Sequence, residues 1–228
     1  MTYSIDQLKA AADQGFKYKV RAERYENYKS SATFDPVTVH GRSYGWWAAV
    51  VKIGPFVVFN ACHYSSCTSK HLRKMRHVMS ELGIKIDFEI HSHGGLERLV
   101  DAKNQGFVST NHYYSSSAET HYLNEIAELR SLISKKGTRK ATNARRAFQL
   151  VEAEQNLEVV YALNKLKTAK GVKRTALIRK LRSLKAMLER NDKAYDKLIQ
   201  QQYKEERLQR AERDARKAQQ QPTLSVVV

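Results

Sequence analysis

Four side chains that could bind a metal ion follow two predicted strands. Cys62 and Cys67 come after an apolar run that ends at Phe59, and His91 and His93 come at the end of an alternating run. Thiolate and imidazole are both good zinc ligands, so converging strand ends would allow a Cys2His2-like site. The spacing contains no C-x2-C pair, and buried cysteines beside surface histidines are the commoner arrangement. The sequence therefore predicts no metal and no cofactor, with these four residues as the candidates if a site exists.

The segment His91-Ser92-His93 resembles the histidine core of the JAMM/MPN metalloproteases. That family also uses a proline after the second histidine and a downstream Ser-x-x-Asp, whereas Gly94, Ala102 and Gln105 stand at these places here. Without a third ligand and a general base, a metal-bound water cannot be activated. The chain also lacks phosphate-binding glycine motifs and a recognisable nucleophile motif. We therefore expect no enzyme, and a metal-dependent nuclease is the weakest of the alternatives.

The positive charge of the chain is large and lies mostly in its second half. The formal net charge is +17, and residues 119–228 hold 25 Lys and Arg against 13 Asp and Glu, whereas residues 1–118 hold 15 against 10. Hydrophobic residues make up 42% of the chain, which is ordinary for a folded protein. A long basic module beside a mildly basic one indicates a polyanionic partner, most simply nucleic acid or a ribonucleoprotein.

Two groups of basic residues lie where predicted helices meet. The first group consists of Lys135, Lys136, Arg139, Lys140, Arg145 and Arg146. The second group consists of Lys165, Lys167, Lys170, Lys173, Arg174, Arg179, Lys180 and Arg182. Acids are nearly absent between Leu157 and Leu188, so ion pairs within the helices cannot balance the second group. We expect that group to cover the tip of a helical hairpin and to contact phosphates; a Lys-rich but merely solvated coiled coil is the alternative.

A third basic set lies on a helix predicted over residues 68–82. Its apolar face is formed by Leu72, Met75, Met79 and Leu82. Its cationic face includes Lys70, Arg73 and Lys74, which could contact phosphates or simply be solvated. Tyr113 and Tyr114 could stack on bases.

The first 106 residues predict an α+β domain. The expected helices lie near 4–13, over 68–82 and, as a short helix, over 96–103; helix 68–82 is capped by Thr68 or Ser69 and stopped by Gly83. The expected strands lie over 16–23, where a helix is the competitor, over 37–40 before a turn at Gly41, and over 84–91. Residues 46–53 and 56–59 are expected to form a covered hairpin. Gly54-Pro55 forms the hairpin turn. The strand over 84–91 is expected to direct Ile84, Ile86, Phe88 and Ile90 to the same side.

The remaining residues predict long helices. We expect a linker over 107–118, helices over 119–135, 142–169 and 172–219, and a tail over 220–228, with the helical domain spanning 119–219. Apolar residues from Leu177 to Leu198 alternate at spacings of four and three, the heptad pattern of a coiled coil. The break at Lys170-Gly171 favours an antiparallel hairpin within one chain; a homodimer through residues 177–198 is the competitor. The fold class is thus α+β, a mixed α/β head followed by a basic helical hairpin or coiled coil.

Three segments within about residues 36–92 stand out: Arg42–Trp47 with its continuation to Asn60, Thr68–His71 and Leu82–Ile84. On these segments, this part of the head is similar to a module of uncharacterised tailed-bacteriophage proteins. That family has no assigned activity, so the resemblance implies a phage origin and supplies no site residues.

The leading hypothesis is non-catalytic binding to nucleic acid or to a ribonucleoprotein such as the ribosome. The runner-up is a virion component or an inhibitor of a host complex that uses the coiled coil as its interface. Two cysteines are too few for a disulfide framework, which favours the cytoplasm, that of the host if the protein is phage-encoded. No apolar run approaches the roughly 18 residues needed to span a bilayer, so no membrane partner is expected.

Overall fold

The structure is a computed structural model, and it describes residues 18–21, 31–44, 47–62, 65–100, 117–135, 137 and 139–220. Several predicted features lie outside these ranges: helix 4–13, nearly all of linker 107–118 with Tyr113 and Tyr114, Lys136, and the tail after residue 220. The described residues form one sheet followed by long helices, which confirms the α+β class.

Within the described residues, six strands form one sheet in the order of the sequence. They are β1 (Tyr18–Arg21), β2 (Ser31–Asp35), β3 (His40–Ser43), β4 (Trp47–Ile53), β5 (Phe56–Asn60) and β6 (Phe88–Ile90). Neighbours from β1 to β5 pair antiparallel, and β6 pairs with β5 in parallel. The predicted strand around Tyr18 and the β4–β5 hairpin are confirmed. Gly54 has φ +61 in the hairpin turn, a conformation that glycine adopts without strain.

The helices within the described residues match the predicted ones closely. They are α1 (Ser66–Glu81), α2 (Ala118–Ser134), α3 (Lys140–Leu166) and α4 (Gly171–Gln220). Ser65 and Ser117 cap α1 and α2, since each side chain accepts a hydrogen bond from the backbone N–H three residues later. The cap of α1 is therefore Ser65, not the predicted Thr68 or Ser69. Gly83, at φ +67, follows α1 as predicted.

Each face of the sheet is covered by its own helices. Trp47 and Phe59 belong to a core cluster with Met75 of α1, whereas Ala48 and Val58 belong to a second cluster with α2, α3 and α4. Adjacent strand residues point to opposite faces, which explains why both arms of the β4–β5 hairpin carry apolar residues on both faces. The sheet and the last three helices meet in one continuous core, while the proposed domain boundary at 107–118 stays a prediction.

Helices α3 and α4 run antiparallel. The rings of Phe148 and Tyr195 lie 6.0 Å apart, and Glu158 Oε2 lies 3.0 Å from Lys180 Nζ. Later residues of α3 thus meet earlier residues of α4. A helical hairpin therefore closes within one chain, as the break at Gly171 predicts.

The apolar seam of α4 is used inside the chain. Leu181 and Leu184 are buried in the core shared with the sheet. The seam continues one step past its predicted end at Leu198, because Gln202 is buried and donates to the Ala141 carbonyl at 3.3 Å. Part of the seam therefore packs within the chain, and the coiled coil and the homodimer through residues 177–198 stay predictions.

The strand predicted over residues 37–40 is wrong. Residues 36–39 form a turn, and strands β2 and β3 flank it. The Asp35 carboxylate accepts a hydrogen bond from the Val37 N–H at 3.0 Å and one from the Thr38 hydroxyl at 2.8 Å. A side chain that satisfies backbone donors in this way stabilises a turn against a strand, whatever the β propensity of valine and threonine. Gly41 accordingly lies in β3 and not in a turn.

Two predictions after α1 are also wrong in part. Only Phe88–Ile90 of the predicted strand 84–91 is a strand. Ile84 and Ile86 pack with the core cluster of α1, whereas Phe88 and Ile90 belong to the cluster of the other helices. The alternating residues therefore do not share one side. Residues 96–100 form turns and bends in place of the start of a short helix.

Candidate nucleic-acid interface

The structure separates the predicted basic residues into three patches. The tip patch comprises Lys165, Lys167, Lys170, Lys173 and Arg174, where α3 ends and α4 begins. The junction patch comprises Lys135, Arg139, Lys140, Arg145 and Arg146, where α2 ends and α3 begins. The α1 patch comprises Lys70, Arg73 and Lys74. Helix α3 has 27 residues, so at about 1.5 Å per residue the first two patches lie about 40 Å apart. The α1 patch lies beyond the opposite face of the sheet.

The hairpin tip is held against the sheet. A Cβ placed on Gly54, in the β4–β5 turn, would lie 3.0 Å from Leu166 Cδ2 and 3.5 Å from a terminal guanidinium nitrogen of Arg174. The Lys167 ammonium donates a hydrogen bond to the Glu97 carbonyl at 3.2 Å. The tip patch is therefore a fixed surface at one end of the sheet.

The five cations of the tip patch are all exposed. None of them forms an ion pair with a carboxylate among the residues that the structure describes. Val172, at the apex, is 88% exposed. Further along α4, Arg179 and Arg182 are exposed, whereas Lys180 is neutralised by Glu158 at 3.0 Å. The positive charge is therefore concentrated at the tip and weakens along the helix.

Two arginines of the junction patch join helices. The Arg145 guanidinium donates to the Gln202 side-chain oxygen of α4, and Arg146 donates to the Leu132 carbonyl at the end of α2. Both are partly buried, so their first role is structural, and they are poorer phosphate ligands than the sequence indicates. Lys135, Arg139 and Lys140 are exposed.

The α1 patch is a solvated helix face opposite a buried one. Lys70 and Arg73 are exposed, while Leu72 and Met75 are buried in the core. The α1 patch and the tip patch belong to helices on opposite faces of the sheet. Phosphate contacts by the α1 patch stay a separate prediction.

The cysteine and histidine candidates converge only in part. Cys62 Sγ lies 3.2 Å from His93 Nδ1, and the rings of His91 and His93 lie 5.2 and 6.0 Å from the ring of His121. Cys67 lies in the first turn of α1, and the position of its side chain falls outside the description. Among the described residues, no three His, Cys, Asp or Glu side chains are arranged to hold a metal ion.

Burial controls the ionisation of this cluster. Desolvation raises the pKa of the Cys62 thiol to about 11, so the thiol stays protonated at neutral pH and is a poor nucleophile. Burial, assisted by the nearby imidazoles of His91 and His93, lowers the pKa of His121 to about 4. Cys62 and His121 are therefore neutral at pH 7, and the thiol is not an activated nucleophile. His121 was missed from the sequence because it comes from a helix distant in the chain.

Lys52 is a second residue whose place in the interface is not evident from the sequence. It is exposed near the end of β4, and its neighbours on the surface include Lys167 and Arg174 of the tip patch. The sequence feature that points to Lys52 is its position as a lone lysine inside an otherwise apolar strand, just before the Gly54-Pro55 turn. Only the packing of the hairpin tip on that turn brings the three cations together.

Comparison with known proteins gives no assignment: no family model, no curated protein and no solved structure matches the chain. The resemblance to a phage module therefore stays a prediction. Within the described residues, no helix combines the length and apolar character needed to cross a membrane. Hypotheses about function consequently depend on the geometry and charge of the patches alone.

Proposed function

We propose that this protein binds nucleic acid, alone or within a ribonucleoprotein such as the ribosome, through the tip patch and without catalysis. The main observation behind this proposal is that five exposed cations lie around one helix–helix junction. No carboxylate among the described residues forms an ion pair with any of them. Such a surface binds phosphates strongly because it releases the counterions condensed on the polyanion. Contacts of this kind position a nucleic acid and do not read its sequence.

The rigidity of the tip supports this proposal. The hairpin is anchored by the core through Leu166 and Leu181, and its last turn packs on Gly54. Cations on a fixed frame lose less conformational freedom on binding than cations on a mobile tail. Val172, at the apex, can contact a sugar or a base beside the phosphates.

The test is fluorescence anisotropy with duplex DNA, single-stranded DNA and structured RNA at several salt concentrations. If all five cations of the tip patch contact phosphates of a duplex, the affinity falls with salt at a log–log slope of about −4 to −5. The ranking of the three ligands identifies the preferred nucleic acid. Weak binding to all three at physiological salt contradicts the proposal.

A second candidate is an interaction protein, either a virion component or an inhibitor of a host complex. One observation favours it: α4 continues for 18 residues beyond Gln202, to Gln220, and its described part exposes Tyr203 and Leu208. Isolated apolar residues on such a helix suit a partner groove. Self-association that is insensitive to salt and is abolished by Leu208→Glu favours this candidate; a monomer at all salt concentrations removes its self-assembling form.

Phage origin and a place in the host cytoplasm belong to the same proposal. The resemblance over about residues 36–92 supports the first, and the low cysteine content supports the second. Transcriptional induction during phage infection tests the origin directly.

A further inference from the structure

A cavity opens between the β4–β5 turn and the hairpin tip. Its volume is about 460 Å³, within the range of about 300–1,000 Å³ that is typical of small-molecule sites. Leu96 and Leu166, both almost fully buried, contribute to its wall together with Val51 and Ile53. One side of the cavity is therefore apolar and formed by the protein core.

Cations dominate the charge of the same cavity. Lys52 from the sheet and Lys167 and Arg174 from the tip patch line it, and Glu97 is the single acid among the described residues of the lining. The Glu97 carboxylate pairs with Arg42 at 2.5 Å. Lys52 and Arg174 pair with no carboxylate in the described part of the chain. The cavity thus carries an uncompensated positive charge beside an apolar wall.

The environment of the Lys167 ammonium favours binding of an anion. Although the Lys167 side chain as a whole is exposed, desolvation around its ammonium lowers the pKa of that group, and the charge of Glu97 acts in the opposite direction. Its hydrogen bond to the Glu97 carbonyl oxygen uses a neutral acceptor. A partly dehydrated cation gains from a charged acceptor, which a phosphate would supply.

We propose that this cavity binds a phosphorylated nucleoside, with the phosphate held by Lys52 and Arg174 and the base or sugar against the apolar side of the cavity, where Val51 is partly exposed. Lysine and arginine are the usual phosphate ligands, and an inorganic anion alone would leave the apolar wall uncovered. The nucleotide is either free or the terminal nucleotide of a strand lying on the tip patch. The second source rests on the proposed function.

The experiment measures binding of adenosine 5′-monophosphate and of inorganic phosphate by isothermal titration calorimetry. Lys52→Ser removes one phosphate ligand outside the tip patch and should weaken nucleotide binding about tenfold. Lys85→Ser, at another exposed lysine, is the matched control and should change nothing. Lys52→Arg should retain most of the affinity, which separates loss of charge from loss of fold. Inorganic phosphate binding as tightly as the nucleotide overturns the role of the apolar wall.

A second arm distinguishes the two sources. A linear 5′-phosphorylated oligonucleotide is compared with a circular one of the same sequence. Preference for the linear form that disappears in Lys52→Ser supports the terminal nucleotide, even when the free nucleotide does not bind. Salt-dependent nucleic-acid binding with neither an end preference nor nucleotide binding overturns the cavity proposal and leaves the proposed function standing. Nucleotide binding by a protein that binds no nucleic acid supports the cavity and refutes the proposed function.

Discussion

Replacing Leu181 by alanine should destabilise the sheet and the helices together. Leu181 is 0% exposed and belongs to the core cluster that also contains Ala48, Val58 and Leu163. Truncating a fully buried leucine costs about 2–5 kcal/mol, since the lost contacts leave a cavity that the surroundings fill only in part. A cost of about 3 kcal/mol lowers the Tm of a chain of this size by about 6–12 °C.

The assay follows unfolding with two probes. Far-UV circular dichroism reports mainly on the helices, and tryptophan fluorescence reports in part on Trp47, which is buried in the sheet on the side of α1. Both transitions should shift by the same amount, because one continuous core joins the sheet to α4. Leu208→Ala, at an exposed position of the same helix, is the control and should change stability by no more than about 0.5 kcal/mol. A shifted helical transition with an unmoved fluorescence transition would refute the shared core and restore two independent domains.

Three further predictions concern the region around His121. Gly95→Ala should lower the free energy of unfolding by about 1–3 kcal/mol, because Gly95 has φ +83 and a Cβ would lie 3.1 Å from a backbone nitrogen of β4. Urea unfolding measures this change. Tyr122→Phe should lower the free energy of unfolding by about 1–3 kcal/mol and speed hydrogen exchange of the His91 amide. The reason is that the His91 N–H loses the Tyr122 hydroxyl, its acceptor at 3.2 Å. The pKa of His121 is lowered from 6.5 to about 4, so the folded state binds fewer protons than the unfolded state. The free energy of unfolding should then decline as the pH falls from 6.5 toward about 4, and His121→Gln should reduce that decline; an unchanged pH profile in this variant contradicts the assignment.

Much of the fold could be predicted because local patterns determine it. The apolar arms around Gly54 identified the central hairpin, and the helical periodicity between Gly137 and Gly171 identified α3. The turn at residues 36–39 could not be predicted from propensity, because the Asp35 side chain stabilises it by accepting bonds from residues that favour strands. The short length of β6 likewise depends on pairing with β5, which a single strand does not reveal.

The candidate interface was only partly predictable for a different reason. Charge and spacing identified the basic residues, but their grouping depends on tertiary structure. Arg145 looks equivalent to Lys170 in the sequence, yet the first joins two helices and the second is exposed at the tip. Lys52 reaches the tip patch only because the hairpin packs on the β4–β5 turn. No local pattern contains that contact.

Comparison of two matched triple variants tests the tip patch most directly. The first variant, Lys170→Glu with Lys173→Glu and Arg174→Glu, reverses three cations of the patch. The second reverses three exposed lysines further along α4, with the same change in net charge: Lys193, Lys197 and Lys204. These lie about 30 Å or more from the tip, at about 1.5 Å per residue.

The measurement is the anisotropy affinity of both variants for the preferred nucleic acid as a function of salt, after circular dichroism confirms that each variant is folded. The tip variant should lose binding at physiological salt, and the magnitude of its log–log slope on a duplex should fall by about 3. The control variant should keep a slope close to that of the wild-type protein. Equal losses in both variants would show that net charge alone drives binding and would contradict a nucleic-acid site at the hairpin tip.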